Sequence, residues 1–185
     1  MSAIPNMRVY LPSDRFQTAK LIEALLQDEK PAYLRVGRNP VEDIYTEENC
    51  PFEMDKATVL AEGADVALIA CGEMVRPALD AAALLKAQGI SATVLDMYCV
   101  KPLDNAAVIK AAQTTKSSSR SRNTLRSVVW AAWWRRPWVS TARVRYKNLS
   151  LPDAPVITGT SKEVFDYYGL NAAGIAKTAA ELLNG

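Results

Sequence analysis

Apolar residues near the start of the chain recur first at the spacing of a strand and then at that of a helix. The stretch MRVYLPSD predicts a short strand that ends in a turn, and PAYLRVGR predicts a second strand. Between them, RFQTAKLIEALLQDEK keeps its apolar residues three or four positions apart, which is typical of an amphipathic helix. Ser13 or Asp14 stands where the N-cap of that helix is expected. Residues 1–40 are therefore predicted to form a strand–helix–strand unit.

Longer apolar runs begin near residue 58. The run from Val66 to Cys71 and the stretch ISATVLDMYCVKPLD each predict a strand that is buried on both faces. Between them, EMVRPALDAAALLKAQ predicts an alanine-rich helix that Gly89 closes. After them, Asp104 or Asn105 is placed to cap the helix AAVIKAAQTT. Strand, helix, strand and helix at these lengths predict an α/β fold with βαβ units and a largely parallel sheet.

Two further stretches connect or follow these elements. The stretch NPVEDIYTEENCPFEMDKA is polar and acidic and predicts a solvated linker, because its carboxylates lack the spacing of metal ligands. After Lys147, KNLSLPDAPVITG predicts an extended segment with a turn. Two short helices follow, and Asn171 is placed to cap the last of them.

The composition excludes several kinds of chemistry. The 185 residues include no histidine, so the chain itself cannot supply a Ser–His or Cys–His nucleophile system. Cys50, Cys71 and Cys99 are widely spaced and form no CxxC pair, which favours reduced thiols over a disulfide framework or a zinc site. No apolar run approaches the roughly 18 residues of a membrane span, and the N-terminus lacks the pattern of a signal peptide. These features predict a cytoplasmic protein without a membrane segment.

The net charge of +2 conceals an uneven distribution. Between Lys116 and Lys147 lie nine of the 22 basic residues, none of the 20 acidic ones and all four tryptophans. Alternating arginine and tryptophan is typical of single-stranded nucleic-acid binding and of helices that lie on anionic membranes. The rest of the chain keeps 13 basic against 20 acidic residues and would repel polyanions. We therefore expect neither a nucleic-acid nor a membrane partner.

Outside that stretch, the sequence resembles the C-terminal part of the transketolase family, the thiamine-diphosphate enzymes that move two-carbon ketol units. The stretches that carry the resemblance are IPNMRVYLPSD, PAYLRVGRNPV, TVLAEGADVALIACGEMVRPALDAAALLKAQGISATVLDMYCVKPLD and KEVFDYYGLNAAGIAKTAAELL, in the family's order and spacing. The likeness is closest to the C-terminal subunit of the bacterial split form. Deoxyxylulose-phosphate synthase and the beta subunits of 2-oxo acid dehydrogenases share the architecture and remain alternatives.

The resemblance implies a division of the chain into three parts. Residues 1–40 would be the C-terminal remnant of a truncated pyrimidine-binding domain, residues 41–57 a linker, and residues 58–185 a transketolase C-terminal domain. We therefore expect a mostly parallel, five-stranded sheet with helices on both faces. In this family the C-terminal domain packs at the subunit interface and supports the domains that bind the cofactor.

The same resemblance accounts for residues 117–146, which fit no element of the family. Transketolases have here a strand ending V-T-V-E-E-H and a helix opening G-G-L-G-S. Because tryptophan has the single codon TGG, a frame shifted by one base permits G-G-L-G-S-M-V-A-E-T-L-G from Ser127 to Val139. The same shift from Lys116 to Thr124 permits V-V-I-T-V-E-E-H. Our hypothesis is that the segment is translated out of frame between two compensating changes, and we expect it to be the least regular part of the fold.

The resemblance also assigns a site residue. Transketolases carry an arginine after the second of these strands that holds the phosphate of the sugar substrate. Arg38, in YLRVGRNP, is the better match, with Arg35 as the alternative. Gly72 follows a strand, but without GxGxxG or a Walker lysine it is interpreted as a turn, and Asp14 is interpreted as a helix cap.

The segments that hold thiamine diphosphate and Mg²⁺ in this family are a G-D-G motif with a later asparagine, and an activating glutamate; the sequence matches neither. The chain is therefore expected to be inactive alone and to bind no cofactor or metal by itself. Its expected partner is an N-terminal transketolase subunit or a second copy of the chain, with a sugar phosphate as the substrate of the complete enzyme. A free-standing interaction domain that regulates or caps a complete enzyme is the alternative.

Overall fold

The computed structural model describes residues 1–114, 127–129 and 146–184, which form two β-sheets with helices packed against them. The strands are β1 Arg8–Tyr10, β2 Ala32–Leu34, β3 Thr58–Ala61, β4 Val66–Ala70, β5 Ala92–Asp96, β6 Cys99–Lys101, β7 Ser127–Val129 and β8 Tyr146–Asn148. The helices are α1 Arg15–Leu26, α2 Val75–Ala87, α3 Asn105–Thr114, α4 Ser161–Tyr167 and α5 Ala172–Asn184. A 3-10 turn, Gly72–Met74, leads into α2.

The larger sheet has five strands in the order β3-β5-β4-β7-β8. Strand β4 is parallel to β5 and to β7, and β7 is parallel to β8. Only the edge strand β3 of this sheet runs antiparallel, to β5. The mostly parallel five-stranded sheet is thus confirmed, although the sequence pattern did not separate β3 from β4 as a strand of its own.

Helices cover both faces of this sheet, as expected. Val66, Leu68 and Ala70 of β4 pack on one face in a core shared with α2 and α5. Ala67 and Ile69 point to the other face, where the core includes residues of β1, α1 and α3. Fully burying a side chain such as Leu68 stabilises the fold by about 1.5–3 kcal/mol. The continuous apolar run of β4 therefore supplies two cores at once.

The smaller sheet combines two strands of the first 40 residues with one strand that follows β5 in sequence. Its order is β2-β1-β6, with β1 parallel to β2 and antiparallel to β6. The stretch ISATVLDMYCVKPLD was expected to be one strand, and this was wrong: β5 and β6 belong to different sheets. Met97 and Tyr98 cross between the sheets and are fully buried, so the apolar run continues although the strand does not.

Strand β7 was not predicted either. Residues 117–146 were expected to be the least regular part of the fold, yet within them Ser127–Val129 forms a strand that pairs with β4. Two consecutive valines favour an extended backbone beside a parallel neighbour, which explains the difference. Apart from β7 and Tyr146 in β8, this segment and its four tryptophans lie outside the described residues, so its expected irregularity stays a prediction.

The helices have the caps that the sequence suggested. Asp104 Oδ1 accepts the N–H of Ala107 at 3.1 Å and so caps α3. Asn171 Oδ1 accepts the N–H of Gly174 at 2.8 Å at the start of α5. Gly89 follows α2 with a φ of 77°, a left-handed conformation that favours glycine. None of the described helices has the length and apolar character needed to cross a membrane.

Candidate functional site

A cleft of about 310 Å³ opens where β1, β2 and β4 end. Ligands of open α/β sheets bind outside the carboxyl ends of the strands, which makes this edge the candidate site. The residues that line the cleft are Leu11, Pro12, Arg35, Gly37, Cys71, Gly72, Glu73, Met74, Leu151, Gly159, Ser161, Val164, Phe165 and Leu170. Its walls therefore come from the loops after the three strands and from the region of α4.

Gly72 lies in this cleft but does not offer its backbone to a phosphate. Its φ is 57°, and its N–H donates to the carbonyl oxygen of Leu11 at 3.0 Å. The adjacent Cys71 is buried, and burial raises the pKa of its thiol to about 12. A thiol with so high a pKa is not ionised at neutral pH and is a poor nucleophile. The interpretation of Gly72 as a turn residue agrees with this geometry.

The two arginines singled out from the sequence lie at different places. Arg35 lines the cleft, while Arg38 is exposed on the segment that follows β2 and is not among the lining residues. In the described part of the chain, neither guanidinium has a carboxylate within ion-pair distance. Both positive charges are therefore available to an anion from solvent.

Asp14 has two functions in this region. Its Oδ1 accepts the N–H of Gln17 at 2.9 Å, which makes it the N-cap of α1 in preference to Ser13. Its Oδ2 accepts the N–H groups of Ile44 and Tyr45 at 2.9 and 2.8 Å. The cap interpretation is correct, and the same carboxylate also fixes the backbone of the segment after Arg38.

The segment from residue 41 to 57 is docked on the fold, unlike the solvated linker expected from its composition. Tyr45 is only 5% exposed, because its ring lies in the interior. Asp43 forms an ion pair with Arg15 at 2.8 Å, and Glu42 forms one with Arg76 at 3.1 Å. These two acidic residues are thus paired with basic residues of the two neighbouring helices.

Asp96, the last residue of β5, is fully buried and is the centre of a polar network. Ser13 Oγ, Gln17 Nε2 and Tyr45 Oη each donate a hydrogen bond of 2.8 Å to its Oδ2. Its other oxygen, Oδ1, has no hydrogen-bond partner among the described residues. Burial raises the pKa of Asp96 to about 6; the three hydrogen bonds oppose this rise and the Asp14 carboxylate adds to it. One carboxyl group therefore joins three separate parts of the chain.

The described residues do not offer a metal site. Across 1–114, 127–129 and 146–184, no group of three or more Cys, Asp or Glu side chains is arranged as metal ligands, and the sequence has no histidine. Asp14 and Asp96, the carboxylates nearest the centre of the network, are already occupied by protein donors. The arrangement can bind an anion at its exposed arginines.

Comparison with known proteins decides the family. The sequence matches the family described as Transketolase, C-terminal domain, over residues 55–175. The chain belongs to the transketolase C-terminal domain family. It is 37% identical over 189 residues to a subunit of the apulose-4-phosphate transketolase of Phocaeicola vulgatus, covering 99% of this chain and 58% of that protein. It is 33% identical over 184 residues to the putative transketolase C-terminal section of Methanocaldococcus jannaschii, covering 98% of this chain and 57% of that protein.

A solved structure agrees with this membership of the transketolase C-terminal family. A split-gene transketolase described as an inactive beta4 tetramer superposes with a TM-score of 0.83 at 27% identity, covering all of this chain and 60% of that one. The resemblance and the α/β fold expected from the sequence are both confirmed. The chain spans less than two thirds of each of these relatives, so the activity of a whole transketolase is a matter for proposal.

The sequence and the structure point to different parts of this candidate site. Arg38 came from the family resemblance, and its role stays a prediction. The network of Ser13, Gln17, Tyr45 and Asp96 was missed, because its members lie as far as 83 positions apart. One feature of the sequence could have revealed the network. Asp96 directly follows an apolar run, a position that tends to be buried, and a buried acid needs hydrogen-bond partners.

Proposed function

We propose that the chain is the C-terminal portion of a transketolase-type thiamine-diphosphate enzyme that transfers ketol units between sugar phosphates. The observation that carries the proposal is the match along 99% of the chain to a relative named as a transketolase subunit. The proposed reaction breaks a carbon–carbon bond of a ketose phosphate and passes its two-carbon unit to an aldose phosphate. The chain has a supporting and substrate-orienting role in it and is inactive alone.

The cofactor is assigned to another part of the enzyme. Within the described ranges no carboxylates are grouped as ligands for Mg²⁺, and the two central carboxylates already accept hydrogen bonds from protein donors. These residues do not fit a site for a metal-bound diphosphate. Thiamine diphosphate and Mg²⁺ would therefore be held by the partner that supplies the cofactor-binding domains.

Arg38 is the proposed contribution of this chain to substrate binding. Its guanidinium is exposed and has no ion-pair partner in the residues described. A planar guanidinium forms two parallel hydrogen bonds with a phosphate and keeps its charge at any physiological pH. In the proposal Arg38 holds the phosphate of the sugar, which fixes the distance between that phosphate and the reacting carbonyl group.

The partner is proposed to be an N-terminal transketolase subunit, with a second copy of this chain completing a dimer. Residues 1–40 would then be the end of a pyrimidine-binding domain, 41–57 the connection and 58–185 the C-terminal domain. Exposed apolar side chains on α1 support a covering partner, because Leu26 is 79% and Ile22 44% exposed. The three free thiols support a cytoplasmic location, and no nucleic-acid or membrane partner is proposed.

Reconstitution tests the proposal. The chain is mixed with thiamine diphosphate, Mg²⁺, xylulose 5-phosphate and ribose 5-phosphate, with and without partner protein that carries the diphosphate-binding motif and the part of the pyrimidine-binding domain with the activating glutamate. We expect sedoheptulose 7-phosphate only when the chain and these missing parts are present together. Product formation by the chain alone would overturn the inactive-alone assignment. Failure of the two chains to associate, with a stable homo-oligomer of this chain instead, would favour an interaction domain.

Two variants that each remove one positive charge test the role of Arg38 in the same assay. Arg38→Gln is expected to raise the KM for ribose 5-phosphate by roughly tenfold or more, because a charged hydrogen-bonded pair with the phosphate is lost. Lys86→Gln is the control, since it removes one positive charge from an exposed position on α2, away from the segment that carries Arg38. Equal KM values for the two variants would exclude Arg38 as the phosphate-binding residue, and Arg35→Gln would be measured next.

A further inference from the structure

The segment that carries Arg38 is fixed at both ends. At its start, the N–H of Arg35 donates to the carbonyl oxygen of Tyr10 at 2.9 Å, which continues the pairing of β2 with β1. At its end, the N–H groups of Ile44 and Tyr45 both donate to Asp14 Oδ2. Residues 36–43 therefore form a loop between two backbone attachment points, and within it the side chains of Asn39, Glu42 and Asp43 make exposed contacts with Ser161, Arg76 and Arg15.

The second attachment point depends on Asp96. Tyr45 donates its phenolic hydrogen to Asp96 Oδ2 at 2.8 Å, and Ser13 and Gln17 donate to the same oxygen. Ser13 and Gln17 lie on either side of Asp14 in sequence. Their hydrogen bonds to Asp96 therefore hold the turn that contains Asp14, whose carboxylate accepts the backbone N–H groups of the loop. The carboxyl of Asp96 thus fixes both the side chain of Tyr45 and the turn that binds its backbone.

The surroundings make these bonds strong. Asp96 and Gln17 are fully buried, Ser13 is 2% exposed and Tyr45 is 5% exposed, so water does not compete for the donors. The ionisable groups that face Asp96 are Asp14 at the start of α1, Tyr45 and Cys50 on the linker, and Cys71 after β4.

We propose that Asp96 is a positioning residue for Arg38, because it anchors the far end of the Arg38 loop to β5 through Tyr45 and Asp14. The inference rests on the proposed function only in taking Arg38 as the phosphate-binding residue. An exposed arginine on a free loop would sample many positions, and a displacement of about 1 Å at a substrate-positioning group can cost roughly a hundredfold in rate. The anchor supplies the rigidity that the exposed side chain lacks.

Hydrogen exchange on the full chain tests the anchor without any activity. Tyr45→Phe removes only the hydroxyl that Asp96 accepts and leaves the ring in the core. We expect amide exchange in residues 36–45 to rise about fivefold to tenfold, as for the loss of one buried hydrogen bond. Exchange in α2 is expected to stay unchanged, which distinguishes local release from a general loss of stability.

Tyr98→Phe is the matched control for that measurement. Tyr98 is also buried and donates from its hydroxyl to a linker carbonyl, that of Glu53, at 2.6 Å. Its replacement should raise exchange near Glu53 and leave residues 36–45 as in the wild type. The anchoring role is overturned if Tyr45→Phe exchanges like the wild type in 36–45, or if Tyr98→Phe accelerates that segment equally.

Kinetics of the assembled enzyme test the link to the substrate. Tyr45→Phe should raise the KM for ribose 5-phosphate roughly fivefold with kcat within about twofold, while the KM for an acceptor without a phosphate, glycolaldehyde, stays the same. Asp96→Asn should show the same split with a larger effect. A change in KM for both acceptors would overturn the positioning of Arg38. An inactive wild-type assembly would overturn the proposed function instead, and the exchange experiment would still decide the anchor.

Discussion

Gly174, in the first turn of α5, lies directly against the backbone of Gly169 in the turn that follows α4. A Cβ atom at Gly174 would be 2.3 Å from the Gly169 carbonyl oxygen, well inside contact distance. Gly169 itself has a φ of 68°, which lets the chain reverse between the two helices. The close approach of two glycines is therefore what brings α5 onto the sheet beside α2.

Gly174→Ala should accordingly destabilise the protein by about 3 kcal/mol, because the methyl group meets backbone and not a flexible side chain. The measurement is the midpoint of urea unfolding followed by circular dichroism. Gly89→Ala is the control: it also replaces a glycine, its φ is 77°, and nothing lies within 4 Å of the added carbon. Its cost should be about 1 kcal/mol, from backbone strain alone. Equal costs would contradict the close contact.

Asp96 should make the stability depend on pH in the direction opposite to that of most acids. Its pKa is raised to about 6 in the folded protein, from 3.8. The folded state therefore holds this proton more tightly, so the contribution is fully present below about pH 4 and is lost as the pH rises through about 6. The free energy of unfolding should gain about 1 kcal/mol from this group when the pH is lowered from about 7.5 to about 5.

Asp96→Asn isolates that contribution. Urea unfolding of both proteins at about pH 5 and about pH 7.5 gives the difference that belongs to residue 96, since the other titrating groups are shared. The gain on acidification should be smaller in the variant by about 1 kcal/mol. Identical pH dependence in the two proteins would show that Asp96 titrates at its ordinary value despite its burial.

Arg8 should contribute more to stability than the exposed arginines. Its side chain is 13% exposed and bridges Asp28 and Asp55, with the Asp55 oxygen at 3.3 Å. Arg8→Gln leaves both carboxylates without their shared cation and should cost about 2 kcal/mol in the free energy of unfolding. Arg15→Gln, at an ion pair whose arginine is 73% exposed, should cost less than about 1 kcal/mol. A reversed order of the two urea midpoints would refute the prediction.

The out-of-frame hypothesis predicts a more stable restored protein. A gene with the one-base shift reversed would encode V-V-I-T-V-E-E-H from Lys116 and G-G-L-G-S-M-V-A-E-T-L-G from Ser127. Expressed beside the present sequence, the restored chain should be more soluble and should unfold at a higher urea concentration, because the seven arginines and four tryptophans of residues 117–146 would no longer be encoded in that frame. Equal solubility and stability would count against an out-of-frame origin.

The elements that were predicted correctly are those with a local signal. Helix α2 has an alanine-rich apolar stripe and a closing glycine, and α5 has its asparagine cap, so neighbours in sequence determine them. Strands β3 and β6 were missed because a short run cannot reveal which strand it will pair with. The change of sheet at Met97 and Tyr98 gave no signal in the sequence, because a buried crossover is as apolar as a buried strand.

The candidate site divides in the same way. Asp14 was recognised as a cap because its partner Gln17 lies three positions away, but its bonds to Ile44 and Tyr45 span 30 and 31 positions and left no pattern. The partners of Asp96 are likewise brought together only by the packing of α1 and the linker on β5. Arg38 was assigned through resemblance alone and its role stays a prediction, since an exposed arginine on a loop has no physical signature in sequence.

Strand β6 comes after β3, β4 and β5 in sequence. It nevertheless pairs with Val9 and Tyr10 of β1 and so completes the smaller sheet, whose other strands lie in the first 40 residues. A cut in the linker after residue 57 would therefore produce two fragments that each lack hydrogen-bond partners held by the other. Such fragments have the properties of a complementation pair, and each would be expected to regain its structure on mixing. In chimeras with related proteins, β1 and β6 would have to be inherited together, whatever boundary the genes suggest.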